Sequence, residues 1–306
     1  MKIRIATFNC ENLFARFRFR ADFSPQEASA NGFDINNLAF EVHDRAKRLL
    51  TGNAIKKLNA DVVALQEVEN LDVLERFRSE FLGGFRAFPH GMLVDGNDPR
   101  FIDVAILSKH PIVHARSYQH LKLTPESRSF IFSRDCLEAD IDFGGKTVTL
   151  FVNHFKSMIG GRPATRQRRL DQVQAVKRIV TDRFGKTKPG NKPFVVLGDF
   201  NDYIEAGDEA ASSLPDLVSW NQVENVVARL DVDEQWTHFF ARENEYRQLD
   251  YLLVSKVLKS KVTAVEIERR GLPLRATRFT GTRFNGVGQD NPKASDHCPA
   301  LVELEL

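Results

Sequence analysis

Cysteine is scarce in this chain of 306 residues, which has only Cys10, Cys136 and Cys298. Three cysteines cannot all pair within one chain, and their spacing matches no zinc-binding pattern. The sequence therefore argues against a disulfide framework and against a structural zinc site. Because each cysteine lies in an apolar stretch, we expect each to be a small buried hydrophobic side chain.

Long hydrophobic runs are also missing, since no apolar stretch approaches the roughly 20 residues that span a bilayer. The first residues, Met1–Asn9, are too short and too alternating for the core of a signal peptide and instead predict a strand. We therefore expect a cytoplasmic protein, or a secreted one if a leader has been removed from the chain as given. No linker or internal repeat is visible, so we expect a single domain over residues 1–306, and a monomer.

Neither sign of charge is in large excess, because 43 basic and 41 acidic side chains give a net charge of +2. Bulk charge therefore names no partner, although the basic residues are clustered. The clusters comprise residues 16–20, where arginine alternates with phenylalanine, Arg162–Arg169 and Arg269–Arg283. Such clusters are typical of a surface that follows a polyanion, with phenylalanines stacked on bases, or equally of an ordinary solvated surface. The sequence leaves both interpretations open.

Strand and helix patterns alternate along the chain. Predicted strands are Ile3–Asn9, Val62–Gln66, Phe101–Ser108, Leu137–Asp142, Lys146–His154, Phe194–Leu197, Leu249–Val254 and Ala300–Leu306. Predicted helices cover residues 42–58, 71–81 and 165–184. Hairpin signals mixed with helical crossovers indicate mixed sheets, and two packed β-sheets with helices outside fit the pattern.

Polar side chains recur where the predicted strands begin or end. Several supply carboxylate or amide oxygens, the hard ligands that suit Mg²⁺: Asn9, Glu67, Asp199, Asn201 and Asp296. A histidine paired with an aspartate, His297 with Asp250, would supply a general base, and His154 could stabilise charge on a phosphate. The chain has no phosphate-binding Walker loop, so hydrolysis by water is favoured over nucleotide-driven transfer. Each residue alone is more often a turn or cap residue, and only their joint occurrence indicates a site.

These motifs together resemble the endonuclease/exonuclease/phosphatase family. The matching segments follow the family order over essentially the whole chain: Thr7–Phe14, Leu65–Val68, Asp103–Ser108, Asn153–Ser157, Gly198–Asn201, Leu249–Leu252 and Ser295–Pro299. The resemblance implies a four-layer α/β sandwich, in which two packed mixed β-sheets are flanked by helices and the site lies at one edge of the sheets. It also implies an Mg²⁺-dependent phosphodiesterase in which Mn²⁺ can replace Mg²⁺.

The resemblance also assigns roles to individual residues. Glu67 would be the principal metal ligand, with Asn9 beside it and Asp296 assisting. Asp199 and Asn201 would contact the metal, the attacking water or the scissile phosphate. His297 would take the proton of the water, oriented by Asp250, with His154 on the opposite side of the phosphate. Arg134 and Asn153 would bind the substrate.

The nuclease-like motifs and the arginine and aromatic segments favour nucleic acid as the substrate, DNA and also RNA. The alternative is a sphingomyelinase-like phospholipase, or a small-molecule phosphodiesterase or phosphatase, with the same site. A lipid enzyme should carry an exposed apolar hairpin, which is not evident here, although Phe17, Phe19 and Phe23 keep that alternative open. An inactive binding module should lack a metal or base residue, and all are present. Two insertions, Ala15–Glu41 and Ala276–Pro292, are expected to rim the site and to select the substrate.

Overall fold

The computed structural model describes residues 1–19, 35–42 and 45–306, with the backbone alone for residues 15–19 and 35–42. The strands are β1 (Lys2–Leu13), β2 (Ala15–Phe19), β3 (Ile35–Val42), β4 (Val62–Val68), β5 (His90–Val94), β6 (Asp103–Ser108), β7 (Ile112–Ser117), β8 (Cys136–Asp142), β9 (Thr147–His154), β10 (Phe194–Asp199), β11 (Val223–Asn225), β12 (His238–Phe240), β13 (Glu245–Arg247), β14 (Asp250–Ser255), β15 (Val262–Ile267) and β16 (Ala300–Glu305). The α-helices are α1 (Arg45–Leu58), α2 (Leu71–Phe77), α3 (Arg162–Phe184) and α4 (Pro215–Val218).

Most of these strands form two six-stranded sheets. The first sheet has the order β15–β16–β1–β4–β6–β5, and the second has the order β11–β14–β10–β9–β8–β7. Each sheet is mixed, because β1 is parallel to β4 and β10 is parallel to β9, whereas the other neighbours are antiparallel. The pairs β2–β3 and β12–β13 form separate two-stranded ribbons.

Side-chain alternation along the central strands explains how the layers stack. Ile3 and Ile5 of β1 pack between the two sheets, whereas Ala6 and Phe8 pack under α1 and α2. In the second sheet, Leu150 of β9 faces the layer between the sheets and Phe151 packs against α3. The predicted four-layer α/β sandwich is therefore confirmed, with a mainly apolar layer between its sheets.

The predicted elements with both faces buried agree well with the structure, and the short peripheral ones differ. The helix predicted over residues 71–81 ends earlier, because α2 stops at Phe77 and Arg78–Leu82 forms a π-helical turn that ends at Gly83 (φ 96°). The third helix begins at Arg162 rather than at Thr165, with a proline in its first turn. Such a proline costs no helical hydrogen bond. The sequence missed β2, β3, β5, β7, β11, β12, β13 and β15, which lie at sheet edges or in short ribbons.

All three cysteines are free and buried, as predicted. Each belongs to a different apolar cluster: Cys10 lies under α1 and α2, Cys136 under α3, and Cys298 beside Trp236 and Phe239. Burial raises the pKa of the Cys10 thiol to about 12. The thiols are therefore packing groups in this fold.

The two basic clusters with described side chains are engaged within the protein. Around α3, Arg166 donates to the Ser212 carbonyl and Arg168 to the Phe130 carbonyl. In the later cluster, arginine pairs with an acidic residue or donates to main-chain carbonyls: Arg269 with Glu234, Arg270 with Glu268, Arg275 with Asp290, Arg278 with Asp233, and Arg283 with Ala276 and Phe279. These contacts favour a structural role for both clusters. The side chains of residues 16–20 lie outside the described part of the chain.

Helix α3 is fixed to the loop after β10 by a buried charge network. The Asp202 carboxylate accepts from Arg162 Nε at 2.8 Å, Arg169 Nε at 3.2 Å and the Ser213 hydroxyl at 2.7 Å. The side chains of Arg169 and Asp202 are both 0% exposed. Removing one partner of such a pair leaves an uncompensated buried charge, which is far costlier than losing a surface ion pair.

Among the described residues, no helix combines the length and apolar character needed to cross a bilayer.

We expect Asp202→Asn to lower the free energy of unfolding by about 3–5 kcal/mol, because Arg169 stays buried without its counter-charge. Asp216→Asn is the matched control, since the Asp216–Lys177 pair is half exposed on the acidic side and should contribute less than about 1 kcal/mol. Urea denaturation measures both values. Equal losses for the two variants would contradict the assignment.

The Asp202 network also predicts a pH dependence. Burial opposes ionisation of Asp202, but hydrogen bonds from Ser213 and Arg162 outweigh it and lower the pKa of the carboxyl. A carboxyl whose pKa is lower in the folded than in the unfolded state stabilises the fold above the unfolded pKa, and this contribution is lost as pH falls through the folded pKa. The difference between wild type and Asp202→Asn should therefore stay constant from neutrality down to about pH 4, the unfolded pKa, and shrink as pH falls further through the lowered pKa of Asp202.

Candidate active site

The polar residues predicted from strand ends continue the inner faces of both sheets. In the second sheet, Asp199 of β10 pairs laterally with His154 of β9 and with Asp250 of β14. These positions are in phase with Leu150, Leu197 and Leu252, which face the layer between the sheets. In the first sheet, Asn9 of β1 is in phase with Ile5 in the same way. The site thus lies where the apolar layer between the sheets reaches one edge.

A cluster of carboxylates and an amide joins the two sheets at this edge. Asn9 Nδ2 donates to Asp199 Oδ2 at 3.0 Å and to Glu67 Oε1 at 3.2 Å. His154 Nε2 lies 3.5 Å from Asp199 Oδ2 and 3.9 Å from Glu67 Oε1. Asn201 donates to both oxygens of Asp199, from its main-chain N–H and from its side-chain amide, each at 2.8 Å. Asp199 is therefore the residue at which the other members meet.

The second part of the site is an aspartate–histidine pair. His297 Nδ1 lies 2.8 Å from Asp250 Oδ2, which leaves Nε2 on the side of Asp199, 3.9 Å from its Oδ2. The Thr237 hydroxyl donates to the same Asp250 oxygen at 2.7 Å and accepts the main-chain N–H of Asp250 at 2.9 Å. A carboxylate on Nδ1 fixes the imidazole orientation and its tautomer.

Ser295 connects this pair to β1. Its hydroxyl donates to the Asn9 carbonyl at 2.8 Å and accepts the His297 N–H at 3.0 Å. The loop that precedes β16 is therefore bonded to the strand end that carries Asn9. This connection sets the distance between the two parts of the site.

Burial and nearby charges shift the pKa values of the two histidines in opposite directions. Burial, followed by the charges of Arg134 and His297, lowers the pKa of His154 well below its ordinary value, so its imidazole is neutral at neutral pH. Burial alone would also lower the pKa of His297, but the Asp250 and Asp199 carboxylates outweigh it and raise that pKa well above its ordinary value. Burial raises the pKa of Asp199 to about 7. The site therefore carries more negative charge than its arginines and histidines neutralise, and it favours a cation.

The backbone around the site adopts conformations that side chains rarely allow. Seven described residues other than glycine have a positive φ, and five of them lie at this edge: Glu11 (49°), Asn12 (62°), Glu67 (62°), Phe101 (56°) and Asn201 (51°). Gly198 has a φ of 135°, and a Cβ there would lie 1.9 Å from the Asn153 carbonyl oxygen. Strain of this kind persists where surrounding structure imposes it, most often at functional sites.

The two residues predicted to bind substrate occupy different environments. Arg134 is 1% exposed; it donates to the Phe155 carbonyl at 2.7 Å and lies 3.5 Å from Asp98. Its charge still acts on Asp199 and Glu67, which places it beside the cluster. Asn153 is fully buried, and its amide donates to the Phe151 carbonyl at 3.0 Å. Alternation puts the Asn153 side chain on the opposite face of β9 from His154, so its contacts give no support to a role in substrate binding.

Two residues of this site were missed in the sequence. Thr237 and His238 lie just before and within β12, in a segment that matched none of the motifs. The His238 ring packs 4.6 Å from the His297 ring, and its Nε2 lies 3.8 Å from Asp296 Oδ2. The only signal was a threonine–histidine pair whose threonine lies 13 residues before Asp250. Such a pair is indistinguishable from ordinary strand residues without the fold.

The donor set fits a divalent cation. Two groups hold ligand atoms that all lie within 4.8 Å of one another: Asp199, Asp250 and His297, and His238, Asp296 and His297. Glu67 adds a carboxylate whose side chain is 20% exposed. Carboxylate oxygens with open access suit a hard cation such as Mg²⁺. Asn9 turns its amide nitrogen toward the carboxylates while its Oδ1 accepts the Glu11 N–H at 3.0 Å, so here it positions Glu67 and Asp199.

The fold and the site define a phosphoester hydrolase built at the edge of two sheets. The chain belongs to the Endonuclease/Exonuclease/phosphatase family, whose model matches residues 4–305. Membership indicates a hydrolase that acts on phosphoester bonds and depends on a divalent metal.

Several solved structures share the fold. A humanized form of TDP2 from D. rerio has a TM-score of 0.60 at 15% identity, covering 100% of this chain and 99% of that one. A family protein from Bacteroides thetaiotaomicron gives the same values. The human Nocturnin catalytic domain with bound sulfate has a TM-score of 0.59 at 15% identity, covering 99% of this chain and 94% of that one. At such identities the likeness concerns the fold alone, and no curated protein matches the chain.

The hydrogen bonds of Thr237 predict a positioning role. We expect Thr237→Val, which keeps the shape and removes the hydroxyl, to lower turnover of bis-p-nitrophenyl phosphate by about tenfold, because one hydrogen bond that holds Asp250 is lost. Thr263→Val is the matched control, since Thr263 donates to the Glu303 carboxylate at 2.7 Å on an exposed part of the surface away from the site. Thermal unfolding of both variants separates lost activity from lost stability. Unchanged turnover in a folded Thr237→Val would contradict the role.

Proposed function

We propose that this protein is an Mg²⁺-dependent phosphodiesterase that hydrolyses nucleic acid, DNA and also RNA, by in-line attack of water. One observation carries the proposal. The Asn9 amide links the Glu67 carboxylate of the first sheet to the Asp199 carboxylate of the second, with a neutral histidine on one side and an aspartate-bound histidine on the other. This combination of cation ligands and a base is what hydrolysis of a phosphodiester requires.

Glu67, Asp296 and Asp199 would hold the metal, with Asn9 beside them. When bound, Mg²⁺ would neutralise the non-bridging phosphate oxygens and stabilise the leaving oxygen, and Mn²⁺ would serve in its place. The fit rests on the excess negative charge of the cluster and on the exposed part of Glu67 and Asp296, whose side chains are 20% and 32% exposed.

His297 would accept the proton of the attacking water at Nε2 in its neutral form, because Asp250 holds its Nδ1 and Thr237 holds Asp250. The carboxylates that raise the pKa of His297 favour its protonated form, and a bound cation would offset their charge and restore the neutral form. His154 is neutral, so its Nε2 would donate to a phosphate oxygen without adding charge. Asn201, bonded to Asp199, would orient the water or the phosphate. Arg134 would stabilise the phosphate through its charge rather than through direct contact, since it is buried.

The choice of nucleic acid has support from solved relatives of the fold. TDP2 from D. rerio, with a TM-score of 0.59 at 14% identity, has been solved in complex with a single-strand DNA product. Positive charge that can reach a polyanion is also present near the site: Arg100 has a side chain 56% exposed, and its charge acts on Glu67. The alternative is a sphingomyelinase-like phospholipase, or a small-molecule phosphodiesterase or phosphatase, working with the same residues.

A substrate panel with Mg²⁺ and with EDTA tests the proposed function directly. It should include plasmid, linear duplex, single-stranded DNA, RNA, sphingomyelin and bis-p-nitrophenyl phosphate. We expect cleavage of polynucleotide that depends on the metal. Cleavage of sphingomyelin without any polynucleotide would overturn the choice of nucleic acid in favour of a lipid.

Loss of the base should be severe. We expect His297→Ala to lower turnover by a factor on the order of 10² or more, the scale of a lost general base. His120→Ala removes an exposed histidine outside the site and should leave turnover unchanged. Single-turnover kinetics on the preferred polynucleotide measure the difference. Near-normal turnover in His297→Ala would reject the role.

Glu67 should control metal affinity. We expect Glu67→Gln to raise the Mg²⁺ concentration for half-maximal activity by roughly tenfold or more, since even residues that only support ligands have effects of that size. Titration with Mn²⁺, followed by electron paramagnetic resonance, should show the same loss without any substrate. Glu305→Gln, at an exposed position of β16, is the control. Equal affinity in the Glu67 variant would show that the cation binds elsewhere.

A further inference from the structure

Exposed phenylalanines are uncommon in this structure. Among the described residues the exposed ones are Phe85, Phe101 and Phe240, which are 68%, 60% and 41% accessible. Phe85 lies under the Arg78 guanidinium, and Phe240 packs its ring 6.4 Å from that of His238. Phe101 has no aromatic or cationic partner among the described residues. Its ring is therefore available to a ligand.

Phe101 lies at the same sheet edge as the proposed active site. It precedes β6, whose first residue Asp103 pairs with Val68, immediately after Glu67. The main chain of Ile102, the next residue, acts on the pKa of His154. On the other side, the charge of Arg100 acts on Glu67. Phe101 thus stands between a residue whose main chain acts on His154 and an accessible arginine.

The loop that carries Phe101 is held in place by both sheets. Asp98 accepts three hydrogen bonds from Arg100 at 2.9–3.0 Å and lies 3.5 Å from Arg134. Asn97 donates from its main chain to the Ser133 carbonyl at 2.7 Å and from its side chain to the Gln119 carbonyl at 2.8 Å. These bonds hold Phe101 at a φ of 56°, a conformation that costs a bulky residue about 1–3 kcal/mol. An aromatic residue that is 60% exposed at such a position gains little from packing to offset the strain.

We propose that Phe101 is a stacking platform for a nucleobase next to the scissile phosphate, with Arg100 beside it for a backbone phosphate. The inference rests on the proposed function and narrows its substrate to phosphodiesters that carry a base. A π-face accepts any base, so the contact would favour nucleotides without selecting a sequence. A guanidinium beside an aromatic ring matches the alternation of phosphate and base along a single strand.

The surroundings of Phe101 favour a base over a lipid. The rest of its loop, residues 95–100, consists of polar residues, glycine and proline. Within this loop the charged Asp98 and Arg100 are bonded to each other. A membrane-binding segment needs a continuous apolar face, and a single ring in a hydrogen-bonded loop does not provide one.

The test compares two esters that release the same p-nitrophenolate group: thymidine 5′-(p-nitrophenyl phosphate) and methyl p-nitrophenyl phosphate. We expect wild type to prefer the thymidine ester. Phe101→Ala should lower kcat/KM for the thymidine ester by roughly tenfold, within the range of base–aromatic stacking, and leave the methyl ester unchanged. Phe101→Trp should retain the preference, and Phe85→Ala is the control for an exposed phenylalanine elsewhere.

Phe101→Gly distinguishes binding from a structural role. Glycine adopts a φ of 56° without strain, so this variant should melt no lower than wild type while losing the same preference as Phe101→Ala. Loss of melting temperature in Phe101→Gly, or an undiminished preference in folded Phe101→Ala, would overturn the stacking role and leave the phosphodiesterase proposal standing.

Binding measured without turnover separates the two proposals. In EDTA, a single-stranded oligonucleotide containing 2-aminopurine should lose fluorescence on wild type and much less on Phe101→Ala. If wild type hydrolyses neither ester, the proposed function is wrong. The loss of fluorescence would still show whether a base stacks on Phe101. A different outcome would overturn the stacking of a base. If wild type binds vesicles of sphingomyelin and phosphatidylcholine and Phe101→Ala does not, while both bind the oligonucleotide equally, the ligand of Phe101 is a lipid.

Discussion

The site depends on one buried hydrogen bond between the two sheets, from the Asn9 amide in the first sheet to the Asp199 carboxylate in the second, 190 positions away in sequence. The layer between the sheets is mainly apolar, and apolar packing is non-directional, so packing alone allows the sheets to slide slightly against each other. A directional bond at the edge fixes their relative position where it matters. Glu67, His154 and Asn201 are all placed by reference to these two residues.

The buried charged groups of the site lower the stability of the fold. Asp199, Asp250 and His297 are almost fully buried, and buried charge is costly unless each group is paired. The pairing here is incomplete, since Asp250 Oδ1 and Arg134 Nε have no hydrogen-bond partner within the described structure. Stability is instead supplied at a distance, by the apolar clusters on both sides of each sheet and by the Asp202 network that anchors α3.

The sequence predicted the central architecture because the central strands are buried on both faces and leave long apolar signals, as in β4 and β10. It also predicted which strand ends carry polar residues, and the structure brings Asn9, Glu67, His154, Asp199, Asp250 and His297 together, although their chemical roles stay predictions. Edge strands such as β7 give a weak signal, because β7 is largely exposed on both faces. Thr237 and His238 could not be predicted, since their importance depends on a ribbon that folds back onto the loop before β16. The Phe101 N–H donates to the nearby Asp98 carbonyl, but the loop is also held by contacts of Asn97 and Asp98 with Ser133 and Arg134. Those partners lie more than 30 residues later, so local sequence does not encode the placement of Phe101.

The three thiols are buried in three separate apolar clusters. The reactivity of each thiol therefore reports whether its own part of the fold has opened. A thiol reacts as the thiolate, and burial raises the pKa of each one, so alkylating reagents have little access to the native fold. Labelling of Cys136 would mark separation of α3 from the second sheet, whereas labelling of Cys10 would mark loss of α1 and α2. Labelling of Cys298 would mark detachment of the segment that carries His297. The order in which the three become labelled would thus show which layer of the sandwich loosens first.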